Sequence, residues 1–265
     1  MFRRLNFLPL CLFVLAAVPA APTGAEMLPE MRAVDESTAL RDEVAALWLA
    51  LDTGASADAI GSRVEALLSA QPRALLATSS ASPGLAAAFD ALLALRVRVL
   101  VATTPLPSGR KGEFLASVLP GATFGDVVFG VPASVTVAQA ILESGWGKSA
   151  PGFNLFGMKG VGPAGSSKRR VVEYQRGKRG HRHHEFRLYH SFAESLADHS
   201  RVLATADRYA PARLVAEDPV AYARALQGKY ATDPRYGTKL GELADHYGLR
   251  RFDWVAPMDS LVAAN

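Results

Sequence analysis

The chain has 265 residues, of which 49% are hydrophobic and 20% charged, and its formal net charge is +4. This length accommodates one large domain or two ordinary ones. The composition is that of a globular protein and contains no low-complexity run, which excludes a predominantly disordered chain.

Charge is distributed unevenly along the chain. Residues 26–106 carry 6 basic and 10 acidic side chains, whereas residues 107–251 carry 21 basic and 13 acidic ones. A basic domain attracts polyanions through long-range electrostatic steering. On charge alone the cell wall, a membrane surface and nucleic acid would all be suitable partners.

The first residues have the pattern of a secretory signal peptide. Arg3 and Arg4 precede an apolar run at residues 5–18, and small residues suited to cleavage follow. An uncleaved membrane anchor is the alternative, but the run is shorter than the about 20 residues that span a bilayer. We therefore expect residues 1–25 to be removed on export to the periplasm or the extracellular cell wall, with no stable membrane insertion afterwards.

The single cysteine, Cys11, lies within this predicted signal peptide. The mature protein can then form no internal disulfide, so its core must stabilise it. The bulky Leu10 in front of Cys11 argues against lipid attachment at this position.

Residues 26–105 are rich in alanine and leucine and have helical periodicity. Apolar side chains at helical spacing predict helices at 37–51, 56–68 and 83–101. Because this region shows no catalytic constellation, we expect a small helical bundle that packs on the following domain or guides it. A separate binding module is the alternative. The Pro-, Ser- and Gly-containing segment 103–111 predicts a linker.

The centre of the sequence is residues 131–159, VPASVTVAQAILESGWGKSAPGFNLFGMK. Apolar periodicity that includes Ile141 and Leu142 predicts a short buried helix, with Ser134 as its N-terminal cap and Gly145 at a left-handed stop. Glu143 lies in the last turn of this helix.

Two effects are expected to raise the pKa of Glu143. The negative end of the helix dipole disfavours its charge, and apolar cover is expected from Trp146, Phe153 and Phe156. A carboxyl group kept protonated near neutral pH can donate a proton to a leaving group. The alternative is that Glu143 is a solvated residue of the last turn.

Helical periodicity disappears between residues 160 and 187, where two β-segments and a turn at 175–180 predict a hairpin. His181 and His183 share a face of the second segment and could chelate a metal, but no third ligand has matching spacing. We therefore expect no metal site. Eight cations make the hairpin strongly basic: Lys168, Arg169, Arg170, Arg176, Lys178, Arg179, Arg182 and Arg187.

Three further helices are predicted at 191–205, 218–226 and 236–247. Ser191 and Glu194 form a capping box at the start of the first. Tyrosines accumulate in this part of the chain, where they either fill the core or bind sugars: Tyr209, Tyr222, Tyr230, Tyr236 and Tyr247.

The motif AQAILESGWGKS, followed by NLFGMK, resembles the hallmark of the bacterial peptidoglycan glucosaminidases of glycoside hydrolase family 73. VVEY at 171–174, FRLYHSFAESLADH at 186–199 and ALQGKYATDPRYGTKL at 225–240 extend the resemblance over residues 106–251. It implies an α+β, predominantly helical fold. A lysozyme-like catalytic domain at 106–251, with a small β-hairpin flap, would follow the helical region at 26–105 and precede a C-terminal tail at 252–265.

The resemblance also implies an activity and a catalytic set. The activity is that of an endo-β-N-acetylglucosaminidase, which cleaves the β-1,4 bond after N-acetylglucosamine in peptidoglycan without a cofactor or a metal. The glutamate of ESGWG is the general acid of the family, so Glu143 takes this role. Glu173, in VVEY, occupies the position of a second carboxylate on the hairpin, with Glu185 in reserve.

Further roles follow from the same resemblance. The acetamido group of the substrate could act as the nucleophile instead of a second carboxylate, with Tyr230 and Asn154 orienting it. The basic hairpin is then either a solvated flap or a clamp over a glycan with anionic peptide stems. Substrate contacts are expected from five residues: Trp146, Asn154, Phe156, Asp233 and Tyr236.

Other activities on the same fold stay open. A lytic transglycosylase needs a single glutamate and forms an anhydro sugar, a muramidase cleaves the other β-1,4 bond, and a wall-binding protein would have lost the chemistry. The expected partner in each case is the peptidoglycan glycan strand and not nucleic acid. The oligomeric state is left open.

Overall fold

The computed structural model describes residues 27–71, 83–175 and 178–254. The residues of the predicted signal peptide lie outside these ranges. The helices and strands are α1 (Met27–Asp52), α2 (Ala57–Ala70), α3 (Pro83–Thr103), α4 (Arg110–Phe129), α5 (Ala133–Ser144), β1 (Ser166–Gln175), β2 (Lys178–Arg187), α6 (Phe192–Thr205), α7 (Ala210–Arg213), α8 (Pro219–Ala225) and α9 (Tyr236–His246).

The first three helices pack around an apolar core of their own. The predicted apolar stripes supply it: Val44 of α1, Val64 of α2 and Leu92 of α3 are each at most 2% exposed. Val127 of α4 is buried in the same cluster. The N-terminal helices therefore pack against the part of the chain that follows, and α1 begins ten residues before the predicted start at residue 37.

Helix α5 is the centre of the second core. Ala133, Val137, Ala138 and Ala140 are fully buried, because α4, α9 and the turn Leu249–Phe252 pack around this helix. The predicted stop is confirmed, since Gly145 adopts a left-handed conformation (φ 57°) that favours glycine.

Two details of α5 differ from the prediction. The N-cap is Pro132, and Ser134 lies inside the helix, where its hydroxyl donates to Asp253 at 2.7 Å. Leu142 was expected on the buried stripe, but 38% of it is exposed. In a helix that is packed on several sides, the neighbouring elements determine which residues are buried. Apolar spacing along the sequence is not sufficient to predict them.

The predicted hairpin is confirmed by strands β1 and β2, which pair antiparallel with Lys168 opposite Glu185. Its base is fixed to the protein body. The Arg187 amide donates to the Met158 carbonyl at 2.8 Å, and the Arg187 guanidinium pairs with Asp198 of α6. The architecture is α+β and predominantly helical, with one two-stranded sheet in the described part of the chain.

The folded part of the chain continues past residue 251, where the sequence predicts a tail. Phe252 is fully buried in the core around α5, and Trp254 packs against the core of the N-terminal helices. Burial of these two apolar side chains favours packing of residues 252–254 against the rest of the protein. Among the described helices, none has both the length and the apolar character needed to cross a membrane.

Candidate active site

Glu143 lies in the last turn of α5 and is bound by a tyrosine of α9. The Tyr236 hydroxyl donates a hydrogen bond of 2.9 Å to Glu143 Oε1. Gln139 Nε2, one helical turn before Glu143, donates to the Tyr236 oxygen at 3.1 Å. Residues four apart on a helix lie on the same face, so Gln139 and Glu143 hold Tyr236 between them.

The pKa of Glu143 is raised above its usual value because the surrounding protein removes part of the water around the carboxyl group. The Tyr236 hydrogen bond favours the carboxylate and opposes this shift. The direction agrees with the sequence argument. Trp146, Phe153 and Phe156, which were expected to cover Glu143, pack on other aromatic rings.

A column of four aromatic rings leads from the core to Glu143. Phe156 stacks on His199 with centroids 3.7 Å apart, His199 packs edge-on against Tyr230 at 5.7 Å, and Tyr230 stacks on Tyr236 at 5.6 Å. The negative charge of Glu143 helps to raise the pKa of Tyr230, after the larger effect of burial. Tyr230 therefore lies within electrostatic range of the candidate acid.

His199 is a spacer in this column and not a proton carrier. Burial lowers its pKa to about 3, and neither ring nitrogen has a hydrogen-bond partner within the described residues. Phe156, predicted to contact substrate, is 7% exposed beneath His199. Because so little of it reaches the surface, we assign Phe156 to packing.

Asn154 has a different role from the one predicted. Its Nδ2 donates to the carbonyls of Met158 and Arg187, each at 2.9 Å, and its Oδ1 accepts from the Met158 amide at 2.9 Å. Both amide hydrogens are thus used within the protein, and the side chain is 4% exposed. Asn154 joins the loop after α5 to the base of the hairpin and is not free to orient a substrate.

Trp146 and Asp233 lie near opposite ends of α9. Trp146 packs edge-on against Tyr247 at the C-terminal end of α9, and the Lys111 ammonium lies 5.1 Å from the Trp146 ring. Asp233 accepts from the Arg235 amide just before α9 and pairs with Lys239, whose hydrogen bond lowers the pKa of Asp233. Both residues remain partly exposed, so contact with a substrate is compatible with their positions.

The two candidate second carboxylates are on the hairpin. Glu173 pairs through its backbone position with Gly180, and its side chain lies outside the described part of the structure. Glu185 is exposed, 4.0 Å from Lys168. Because positions alternate between the two faces of a ribbon, this register puts positions 173 and 185 on opposite faces. A single hairpin orientation therefore presents one of the two positions to a bound glycan.

Gln139 is the site residue that the sequence argument missed. It is fully buried, and its neighbours at 137, 138 and 140–142 in α5 are all apolar. A lone polar residue four positions before a candidate acid is a signal that could have identified it.

Two other features complete the surroundings. A groove of about 410 Å³ is lined by Leu142 of α5 and by four residues of α9: Lys239, Glu242, Leu243 and His246. Among the described residues, no group of three His, Cys, Asp or Glu side chains is placed to hold a metal ion.

Glu143 and Tyr236 lie within the segment of this chain that is similar to known proteins. A family model named Glucosaminidase, described as mannosyl-glycoprotein endo-beta-N-acetylglucosaminidase, matches residues 127–249. A probable N-acetylmuramidase of Lactococcus lactis is 43% identical over 134 residues, which are 47% of this chain and 30% of the relative. The exo-glucosaminidase LytG of Bacillus subtilis is 38% identical over 133 residues, 47% of each chain. This chain thus spans less than half the length of either relative.

A solved structure is similar as well. The catalytic domain of the autolysin Auto from Listeria monocytogenes matches with a TM-score of 0.51 and 31% sequence identity. The match covers 60% of this chain and 97% of the Listeria domain.

Proposed function

This chain belongs to the glucosaminidase family of glycoside hydrolases, and from that membership we propose that it is an exported peptidoglycan hydrolase. The specific activity proposed is that of an endo-β-N-acetylglucosaminidase, which cleaves the β-1,4 bond after N-acetylglucosamine. Glu143 is the proposed general acid.

The arrangement of Glu143 and Tyr236 is the observation that carries this proposal. The raised pKa of Glu143 keeps a larger fraction of the carboxyl protonated near neutral pH. Since Tyr236 binds Oε1, Oε2 is left to carry the proton. Glu143 donates this proton to the glycosidic oxygen as the bond from the sugar carbon breaks, and the tyrosine hydrogen bond then stabilises the carboxylate that remains.

The second role, opposite the acid, is proposed for Glu173. A carboxylate there would stabilise the cationic sugar or activate the water that completes hydrolysis. Its place on a hairpin allows it to approach when substrate binds. In the substrate-assisted alternative the acetamido group attacks the sugar carbon, and Tyr230, next to Tyr236 and Glu143, is the residue suited to orient it.

A muramidase activity is the second candidate, favoured by one comparison. The Lactococcus relative, the more similar of the two described above, carries the name probable N-acetylmuramidase. The two activities use the same acid and differ in which sugar is left at the new reducing end.

Digestion of purified peptidoglycan, followed by reduction of the new ends and mass spectrometry, tests the proposal. N-acetylglucosamine at the reducing end supports it, and N-acetylmuramic acid there supports a muramidase. An anhydro sugar would instead identify a lytic transglycosylase, and an intact glycan after long incubation would identify a wall-binding protein. Cell fractionation of the full chain tests export, which is contradicted if the protein stays in the cytoplasm at full length.

A further inference from the structure

Residues 252–254, here called the C-terminal strap, join the two cores of the protein. Phe252 is buried in the core around α5, and Trp254 packs against the core of the N-terminal helices. Asp253 lies between them and turns toward the start of α5. Three consecutive side chains thus contact three different parts of the fold.

Two carboxylates bind the first turn of α5. Asp253 accepts from the Ser134 amide at 2.6 Å and from the Ser134 hydroxyl at 2.7 Å. Asp126, at the end of α4, accepts from the amides of Ala133 and Trp254, each at 2.9 Å. The first amides of a helix have no partner within it, and acidic groups are favoured there by the helix dipole. These carboxylates therefore replace the cap that Ser134 was predicted to provide.

An arginine of the N-terminal helices holds the strap from the other side. Arg96 of α3 donates through Nη1 to the Phe252 carbonyl at 2.7 Å and through Nη2 to the Asp253 carbonyl at 3.1 Å. Its Nε donates to Glu65 of α2 at 2.7 Å. The Arg96 side chain is 6% exposed, and an unpaired guanidinium at such a buried position would be strongly unfavourable.

We propose that Arg96 and Asp253 are positioning residues for the reaction, through which the N-terminal helices and the strap fix the direction of α5. This inference rests on the proposed function, because it assigns a task to the helix that ends in Glu143. Arg96, Asp126 and Asp253 all lie outside residues 127–249, the range that the family model matches.

The length of α5 determines how far a tilt at its start would move Glu143. This helix has 12 residues and is about 18 Å long at 1.5 Å per residue. A tilt of a few degrees at its start would move Glu143 by about 1 Å, and such a misplacement can reduce turnover by up to roughly 10²-fold. Binding of substrate to other parts of the cleft would be affected much less. The tilt should therefore lower kcat and leave KM nearly unchanged.

The test compares full-length Asp253→Ala, Asp253→Asn and Arg96→Met with the wild type. Asparagine keeps an acceptor for the Ser134 amide, so it should restore most of what alanine loses. Asp253→Ala and Arg96→Met should lower kcat on peptidoglycan about 10-fold, within the range expected for a misplaced acid, and change KM less than about twofold. Arg98→Met is the matched control, because Arg98 lies on the same helix, pairs with Asp52 and should leave kcat unchanged.

Hydrogen exchange gives a readout that does not need activity. Amides of α5 should exchange faster in Asp253→Ala and Arg96→Met, while those of α6 keep their wild-type rates. If Asp253→Ala does not fold, Ser134→Ala, which removes one bond to Asp253, takes its place.

Three results would overturn the inference. These are unchanged α5 exchange in the folded variants, faster α5 exchange with wild-type kcat, and a loss of kcat that asparagine does not restore. A wild-type protein that leaves peptidoglycan intact would instead contradict the proposed function, and the exchange experiment would still report on the strap.

Discussion

The Tyr236 hydroxyl donates a 2.9 Å hydrogen bond to Oε1 of Glu143, which joins α9 to the last turn of α5. Tyr236 is 2% exposed and is held in turn by Gln139, so its hydroxyl has a fixed direction. The ionisation of the candidate acid is therefore set by two opposing contributions, loss of water and one directed hydrogen bond.

The first prediction concerns Glu143→Gln. The amide is similar in shape to the carboxyl group and can still accept from Tyr236, so folding and glycan binding should persist. Turnover should fall by the roughly 10²–10⁴-fold that positioned proton transfer contributes, or by more. Release of reducing ends from peptidoglycan measures this, and activity within threefold of the wild type would end the assignment.

The second prediction concerns the pH dependence of the reaction in Tyr236→Phe. The lost hydrogen bond favours the carboxylate, so its removal should raise the pKa of Glu143 further. The acid then stays protonated to a higher pH, and the alkaline limb of the kcat/KM profile should move upward. Tyr247→Phe is the matched control, because its hydroxyl binds Lys111 at the other end of α9. An unmoved or lowered limb in Tyr236→Phe would contradict this account.

The third prediction separates the two hairpin carboxylates. Glu173→Ala should reduce kcat substantially, though less than loss of Glu143, and Glu185→Ala should have little effect. The register supports a difference between them, because positions 173 and 185 are on opposite faces of the ribbon. Steady-state kinetics of the two variants tests this difference. A larger loss of kcat in Glu185→Ala than in Glu173→Ala would assign the second role to Glu185.

The fourth prediction concerns recruitment of an anionic wall by the basic hairpin. The Debye length, over which charges interact, is about 8 Å at physiological salt and about 3 Å near 1 M. The apparent affinity for peptidoglycan should therefore fall as the salt concentration rises. Turnover at saturation should change far less, and a short neutral chitooligosaccharide should escape the effect. Neutralising Arg176, Lys178 and Arg179 together should flatten the salt dependence. If this triple variant keeps the wild-type slope, recruitment takes place elsewhere.

The fifth prediction concerns stability and Asp126. Burial raises the pKa of this carboxyl from 3.8 to about 7 in the folded protein. Between these two values the folded state binds more protons than the unfolded state, so the free energy of unfolding should fall as pH rises through this window. At 1.36 kcal/mol per pKa unit, the contribution is at most about 4 kcal/mol.

Asp126→Asn should remove this contribution while keeping an acceptor for the Ala133 and Trp254 amides. Urea unfolding at pH 5 and pH 8 should therefore show a smaller decline for the variant than for the wild type. Asp245→Asn is the control, because the Arg250 hydrogen bond lowers the pKa of this exposed carboxyl and its removal should not flatten the decline. Equal declines in Asp126→Asn and wild type would refute the prediction.

Short-range features were readable from the sequence. The stop of α5 at Gly145, the capping hydroxyl of Ser191 and the hairpin all depend on residues close together in the chain. The ESGWG motif likewise identified Glu143 as the candidate acid. Backbone conformation and side-chain periodicity act over a few residues, which is why a single sequence carries this information.

The partners of these residues were decided by the tertiary structure. Tyr236 binds Glu143 from 93 positions away, Asp253 binds Ser134 from 119 positions away, and Arg96 reaches the Phe252 carbonyl from 156 positions away. Asn154 was assigned to substrate by its motif, yet the backbones of Met158 and Arg187 take its hydrogen bonds. A buried polar group must find a partner, but its own sequence neighbourhood does not say which one, because distant segments meet only when the apolar cores have packed.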